Sequence, residues 1–189
     1  MKTILQYNTW SDLNDYLSEL TNSGKQKQAG DIFENLCKYY LLTAPHYRSK
    51  LKNVWLLQEI KEEIKRKINL PDTDEGIDLI AETKKGEFWA IQAKYRSDFE
   101  TTLTVKGDLS TFANLAFNHC KNIIHGLVLT TSSKPPIKKR YLRNIGFETA
   151  ETFLALDDND FEGWKLIKHK CGGEIFIPPK KIPRPHQND

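Results

Sequence analysis

The chain has 189 residues, of which 39% are hydrophobic, 28% charged and 11% aromatic, with a net charge of +3; that length suits one domain with a sizeable core. Ten Gly and eight Pro are too few for a collagen-like or low-complexity chain, and the aromatic share argues against disorder. Apolar runs are short, as at Val54–Leu57, and polar residues follow Ile4-Leu5 at once, so neither a membrane span nor a signal peptide is expected.

Taken in order, Trp10-Ser11-Asp12-Leu13 opens a helix with Leu13, Leu17 and Leu20 on one face and Gly24 ending it. A second helix is predicted from Gln28 to Leu42, with Ile32, Leu36, Cys37 and Tyr40 as its apolar stripe and Pro45 closing it. Val54–Leu57 reads either as a short strand or as a helix start, and Ile60, Ile64 and Ile68 follow at helical spacing. Residues 71–76 are loop chemistry. Two strands, Ile77–Glu82 and Phe88–Tyr95, flank a Gly-containing turn and predict a β-hairpin. A helix over Asp108–Asn118 comes next, then an apolar strand, Ile123–Thr131, of the kind covered on both faces. Pro135-Pro136 starts a further helix ending at Gly146, and Thr152–Leu156 is expected as a last short strand. The whole is an α/β fold, a small mixed β-sheet flanked by helices. From Cys171 on, four prolines in the eight residues 178–185 forbid regular structure and predict a linker. The domain is thus expected over residues 1–170 and the linker over 171–189.

The hairpin carries the chemistry. With the turn centred near Lys85, Asp78 is predicted opposite Gln92, Ile80 opposite Ala90 and Glu82 opposite Phe88, on a face that also bears Lys94. Ile77, Leu79, Ala81, Trp89, Ile91 and Ala93 form the other, wholly apolar face, and its burial would enforce this register. A carboxylate, an amide oxygen and an ammonium therefore converge at one end of the hairpin. A hard divalent cation takes oxygen ligands. Asp78, the side-chain oxygen of Gln92 and the backbone carbonyl of Ala93 are the candidates, and Lys94 is placed to offset charge growing on a phosphate. An unpartnered Gln between Ile91 and Ala93 would otherwise be costly inside an apolar strand.

These residues resemble the signature of the PD-(D/E)xK, or restriction-endonuclease-like, superfamily in the variant where Gln replaces the acid. Gly30 to Leu36 resembles the "G-x-x-F-E-x-L" helix of Mrr-like nucleases, Gly76 to Ile80 their "G-I-D-L-I" strand, and Gln92-Ala93-Lys94 their "Q-x-K". The three segments stand in the right order over Gly30 to Lys94. The resemblance implies Asp78 as central metal ligand, Gln92 as the substitute second ligand and Lys94 as the catalytic lysine. It also implies that Glu34 reaches the metal from its helix, directly or through water. Mg2+, with Mn2+ able to replace it, is the implied cofactor, and double-stranded DNA the substrate, cut to leave 5′-phosphate and 3′-hydroxyl ends. The Gln departs from the acidic form and lowers the negative charge holding the cation. Asp74 and Glu75 in the preceding loop are further candidates.

Ile182 to Gln187 resembles the "R-P-H-Q" entry segment of superfamily 2 helicase motors in restriction-type enzymes. The N-terminal arrangement, with Trp10 and Pro45-His46-Tyr47, resembles the nuclease of Type ISP restriction-modification enzymes. A helicase motor in the same parent polypeptide is the implied partner. The chain itself contains no Walker A loop.

Charge is segregated along the chain: Lys134 to Arg143 holds five bases and no acid, and Glu148 to Glu162 six acids and no base. Lys138, Lys139, Arg140 and Arg143 are the candidates for phosphate contacts, set against a plain solvated helix face. Cys37, Cys120 and Cys171 share no CxxC spacing and suit reduced thiols in a cytoplasm. His169-Lys170-Cys171 and His119-Cys120 match no common zinc site. Two functions compete: a Mg2+-dependent DNA endonuclease, and a nuclease-like module that binds DNA or docks a motor without turnover.

Overall fold

A computed structural model describes residues 2–71, 76–134, 136 and 144–172, with Lys2 described in its backbone alone. Five strands form one mixed sheet in sequential order: β1 (Leu51–Leu56), β2 (Leu79–Thr83), β3 (Phe88–Lys94), β4 (Ile123–Thr130) and β5 (Ile145–Glu148). β1, β2 and β3 are antiparallel neighbours, whereas β4 and β5 run parallel to β3. The predicted hairpin register is found, with Leu79 opposite Ile91, Ile80 opposite Ala90, Ala81 opposite Trp89 and Glu82 opposite Phe88.

Helices cover both faces of the sheet. On one side lie α1 (Lys2–Leu5), α2 (Trp10–Asn22), α3 (Gln26–Thr43) and α8 (Asp158–Gly172), with α4 (Pro45–Arg48) leading into β1. Leu13, Leu17, Phe33, Leu36, Leu41 and Trp164 are fully buried here against Leu79, Ala81, Ile91 and Leu129 of the sheet. Phe33 is the centre of this layer, with its ring 5.0 Å from that of Phe153, 5.7 Å from Tyr95 and 6.3 Å from Trp10. On the other side, α5 (Glu62–Ile68) and a helical stretch built on α6 (Ser110–Asn114) pack against Ile80, Phe88, Ala90 and Val128. A π-turn precedes α6, over Val105–Leu109, and another follows it, over Leu115–His119.

The second core corrects one expectation. The hairpin face bearing Gln92 and Lys94 is not an open polar face, because Ile80, Phe88 and Ala90 on it are fully buried. Strands covered on both faces read as continuous apolar runs, and a lone polar residue in such a run marks a site rather than a solvated side.

Three other expectations change. The apolar stripe of α3 is centred on Ala29, Phe33, Leu36, Cys37 and Tyr40, and Ile32 is only half-buried. Ile145 and Gly146 belong to β5 rather than to a helix end, since the parallel ladder pairs Gly126 with Ile145 and Leu129 with Glu148. Thr152–Leu156 is not a strand: α7 (Ala150–Leu154) and a 3-10 turn, Ala155–Asp157, occupy it. β5 takes the place beside β4, and Phe153 turns inward to Phe33 and Trp10.

The acidic run 148–162 has structural work. Asp157 accepts hydrogen bonds from the Trp10 and Ser11 N–H groups at 2.7 and 2.9 Å, satisfying donors left over at the start of α2. Glu148 accepts from the hydroxyls of Tyr47 and Thr152. Cys171 and Gly172 are the last residues of α8, inside the span expected as linker. Residues 173–189, including the "R-P-H-Q" segment, lie outside the described residues. So do Asp74, Glu75, Lys138, Lys139, Arg140 and Arg143.

Candidate nuclease site

The end of β2 positions Asp78. Gly76 has φ +99°, a left-handed conformation that favours glycine. A Cβ there would stand 3.4 Å from the Phe112 backbone nitrogen and 3.5 Å from Gln92 Nε2. From this turn the chain passes Ile77, buried in the second core, and enters β2 at Leu79, which faces the first. The ladder with β3 stops at Leu79 instead of continuing to Asp78 and Ile77 as expected. The Asp78 N–H still donates to the Ile91 carbonyl at 2.9 Å. Beyond it, the Asp78 carboxylate replaces a strand: its Oδ2 accepts the Ala93 N–H at 2.7 Å. The side chain expected opposite Gln92 is thus hydrogen-bonded to the peptide immediately after Gln92.

Gln92 is 3% exposed, and its Oε1 has no hydrogen-bond partner among the described residues. Leaving a buried acceptor unmet costs about 1–3 kcal/mol, and such groups collect where a ligand or ion supplies the missing contact. Lys94, two residues on, is half-buried and by strand alternation shares the Gln92 side of β3. Its ammonium is close enough to act on Asp108. Partial burial of Asp108 opposes ionisation. The Thr104 N–H and hydroxyl bonds and the Arg96 and Lys94 charges outweigh it and hold the carboxyl below its usual range. Arg96 reaches Asp108 at 2.6 Å.

Glu34 comes from α3. It lines a pocket of about 340 Å³ together with Asp78, Lys27, Asp31, Asn35, Leu57, Gln58 and Ile77. Cys37, one turn further along α3, registers both acids. Full burial pushes its thiol well above the usual range, and the Glu34 and Asp78 charges add to the rise. That shift excludes Cys37 as a ready nucleophile.

Lys94 is anchored from behind. Its carbonyl accepts the Thr130 hydroxyl at 2.8 Å, and the Thr131 hydroxyl bonds to both the N–H and the carbonyl of Arg96, at 2.7 Å each. Thr130, Thr131 and Ser132 are all fully buried. This hydroxyl run fixes the exit of β3. Thr130 and Thr131 close the apolar strand predicted over Ile123–Thr131, and the three adjacent hydroxyls are the sequence signal for this role.

The candidate donors are therefore oxygens: the Glu34 and Asp78 carboxylates on one pocket, which Asp31 also lines, and, outside that lining, the buried amide oxygen of Gln92, without a partner among the described residues. Such a set suits a hard divalent cation. Among the described residues, no group of three or more His, Cys, Asp or Glu side chains forms a cation site by itself.

Comparison with known proteins bears on the fold and the family. No curated protein matches the chain. Among solved structures, the ATP-dependent Type ISP restriction-modification enzyme LlaBIII bound to DNA is similar in fold. Its TM-score is 0.56 at 20% sequence identity, over 96% of this chain and 10% of that one. The chain thus spans about a tenth of the length of that enzyme's chain. The family described as Restriction endonuclease, Mrr_cat_2, matches residues 42–152, a stretch that holds Asp78, Gln92 and Lys94 but begins after Glu34. Since that match covers more than half of the sequence, the chain belongs to the Mrr-type restriction endonuclease family and carries its nuclease domain.

Proposed function

We propose that this domain is a DNA endonuclease that hydrolyses phosphodiester bonds with Mg2+, and that Mn2+ can take its place. The observation that carries the reading is the buried Oε1 of Gln92, without a partner among the described residues and next to the peptide N–H that holds Asp78. The residues that would hold the cation are Asp78, Gln92 through Oε1, Glu34, and Ala93 through its carbonyl. When bound, a divalent cation supplies Lewis-acid polarisation of a phosphate and a more acidic water. Lys94 presents an ammonium to the negative charge that grows on the phosphoryl oxygens. Asp78 is oriented by the Ala93 N–H, and that hydrogen bond is the stronger when its acceptor is a carboxylate. The amide at position 92 contributes an oxygen without a charge, so cation binding is expected to be weak.

Lys138, Lys139, Arg140 and Arg143 are proposed as sequence-independent phosphate contacts. The "R-P-H-Q" segment supports a parent polypeptide carrying a helicase motor, acting on double-stranded DNA in the cytoplasm. The competing reading, a non-cleaving DNA-binding or motor-docking module, draws on the amide in place of an acid at position 92.

A plasmid-nicking assay with metal titration separates the two. Mg2+ or Mn2+ should support nicking, Ca2+ should permit DNA binding without it, and EDTA should abolish it. Binding that never leads to nicking with any of these metals would favour the docking module. Cleavage that survives EDTA would remove the site described above.

A further inference from the structure

The part of α3 that borders the Asp78 pocket has two features that the proposed site does not use. Lys27, Asp31, Glu34 and Asn35 all line the pocket and recur at helical spacing as one stripe. Lys38 continues the stripe but is held by Glu59 at 2.6 Å. Lys27 is exposed, and among the described residues no ion pair engages it. It is the one cation among the described lining residues, against the three acids Asp31, Glu34 and Asp78.

The second feature is Gly30, one turn after Lys27 and one turn before Glu34. Glycine inside a helix is unfavourable relative to alanine, because it gives up more backbone freedom on folding. Yet a Cβ at Gly30 would meet nothing within 4 Å, and Gly30 is not among the residues of positive φ. The packing of the described residues therefore does not call for glycine. Bare helix backbone one turn from a cation that lines the pocket is what a ligand closing onto the helix would need.

We propose that the N-terminal half of α3 faces the nucleic acid, with Lys27 contacting a backbone phosphate that flanks the cleavage position and Gly30 letting the strand close on the helix. The inference rests on the endonuclease reading, since it takes the Asp78 pocket as the place where a phosphodiester is cut. A polyanion entering that pocket meets three carboxylates, and each like charge raises the cost of approach. The Lys27 ammonium offsets part of that field, and Asn35 and Gln58 complete the lining with neutral amides. A lysine acting as a point charge reads no sequence, so its effect is uniform across DNA sequences.

The test uses the 189-residue chain and a short DNA duplex, with Ca2+ for binding and Mg2+ for cleavage. Lys27→Ala should lower the slope of log Kd against log salt by about 1 and raise KM for DNA about fivefold, with a smaller effect on kcat. Gly30→Leu should raise Tm, because leucine is the better helix former, and yet weaken DNA binding at least fivefold. A glycine with a purely structural role would move both readouts in the same direction. An unchanged slope in Lys27→Ala, or wild-type DNA binding in Gly30→Leu, overturns the inference. A wild-type chain that binds DNA but never cleaves it with Mg2+ or Mn2+ removes the endonuclease reading instead, and the two binding measurements still decide whether α3 faces DNA.

Discussion

Asp78 and Lys94 differ in what holds them, and their variants should differ accordingly. Asp78 is tied to the Ala93 N–H at 2.7 Å, whereas Lys94 is placed by its own strand and by the Thr130 hydroxyl on its carbonyl. Asp78→Ala and Lys94→Ala should each abolish nicking with the domain still folded. Calorimetric titration should then show weakened Mg2+ binding in Asp78→Ala alone, since deleting the lysine also deletes a nearby positive charge. A Lys94→Ala variant that nicks at the wild-type rate would make the Q-x-K strand structural. Gln92 offers the sharper contrast. Gln92→Leu removes a buried acceptor without a partner among the described residues, so urea denaturation should show a gain of about 1 kcal/mol while nicking is lost. Gln92→Glu should keep or strengthen metal binding by restoring a charged oxygen. A destabilised Gln92→Leu would mean that the amide already has its partners.

Two elements carry the site, and each has a distinct weak point. α3 is seated by Phe33, which is fully buried and touches the rings of Trp10, Tyr95 and Phe153. Phe33→Ala should cost about 3–5 kcal/mol, from lost transfer energy and the cavity left behind. The exit of β3 depends on Thr131, whose hydroxyl bonds to both the N–H and the carbonyl of Arg96. Thr131→Val removes the partner of two partly buried backbone groups of Arg96, at a cost of about 1–3 kcal/mol. Equilibrium unfolding of both variants checks the pair. A neutral Thr131→Val would show that water replaces the hydroxyl.

At the scale of the whole molecule, the sheet is buried on both faces, and its end away from the site holds a pH-sensitive group. His125 of β4 packs edge-on against Trp89 at 4.7 Å. Burial first, and then the Lys50 charge, lower its pKa below the ordinary 6.5. A group depressed in this way binds its proton more readily in the unfolded chain. Its contribution to stability is complete above the unfolded value, about 6.5, and is lost as pH falls through the lower folded value. Stability should therefore decline below about pH 6.5, and His125→Gln should flatten that decline. Equal slopes for the two proteins would assign the decline to other groups.

The sequence alone settled the features that rest on local pattern. Apolar alternation paired Leu79 with Ile91, because slipping by one residue would expose an entire buried face. The Asp78, Gln92 and Lys94 spacing named the candidate site, because strand geometry brings such residues to one end of a hairpin. Glu34 was legible only through a family pattern, since nothing local says that a helix far earlier in the chain shares a pocket with Asp78. Tertiary structure decided the rest. β5 was hidden because a four-residue strand has little pattern of its own and takes its identity from pairing with β4. The acidic run 148–162 carries no local sign of its role, because Asp157 accepts from the Trp10 and Ser11 N–H groups across the fold. The end of the ladder at Leu79 could not be foreseen either. Asp78 both donates its N–H to Ile91 and lends its carboxylate to Ala93, beside a turn where Gly76 lies close to the Phe112 backbone, a neighbour distant in sequence.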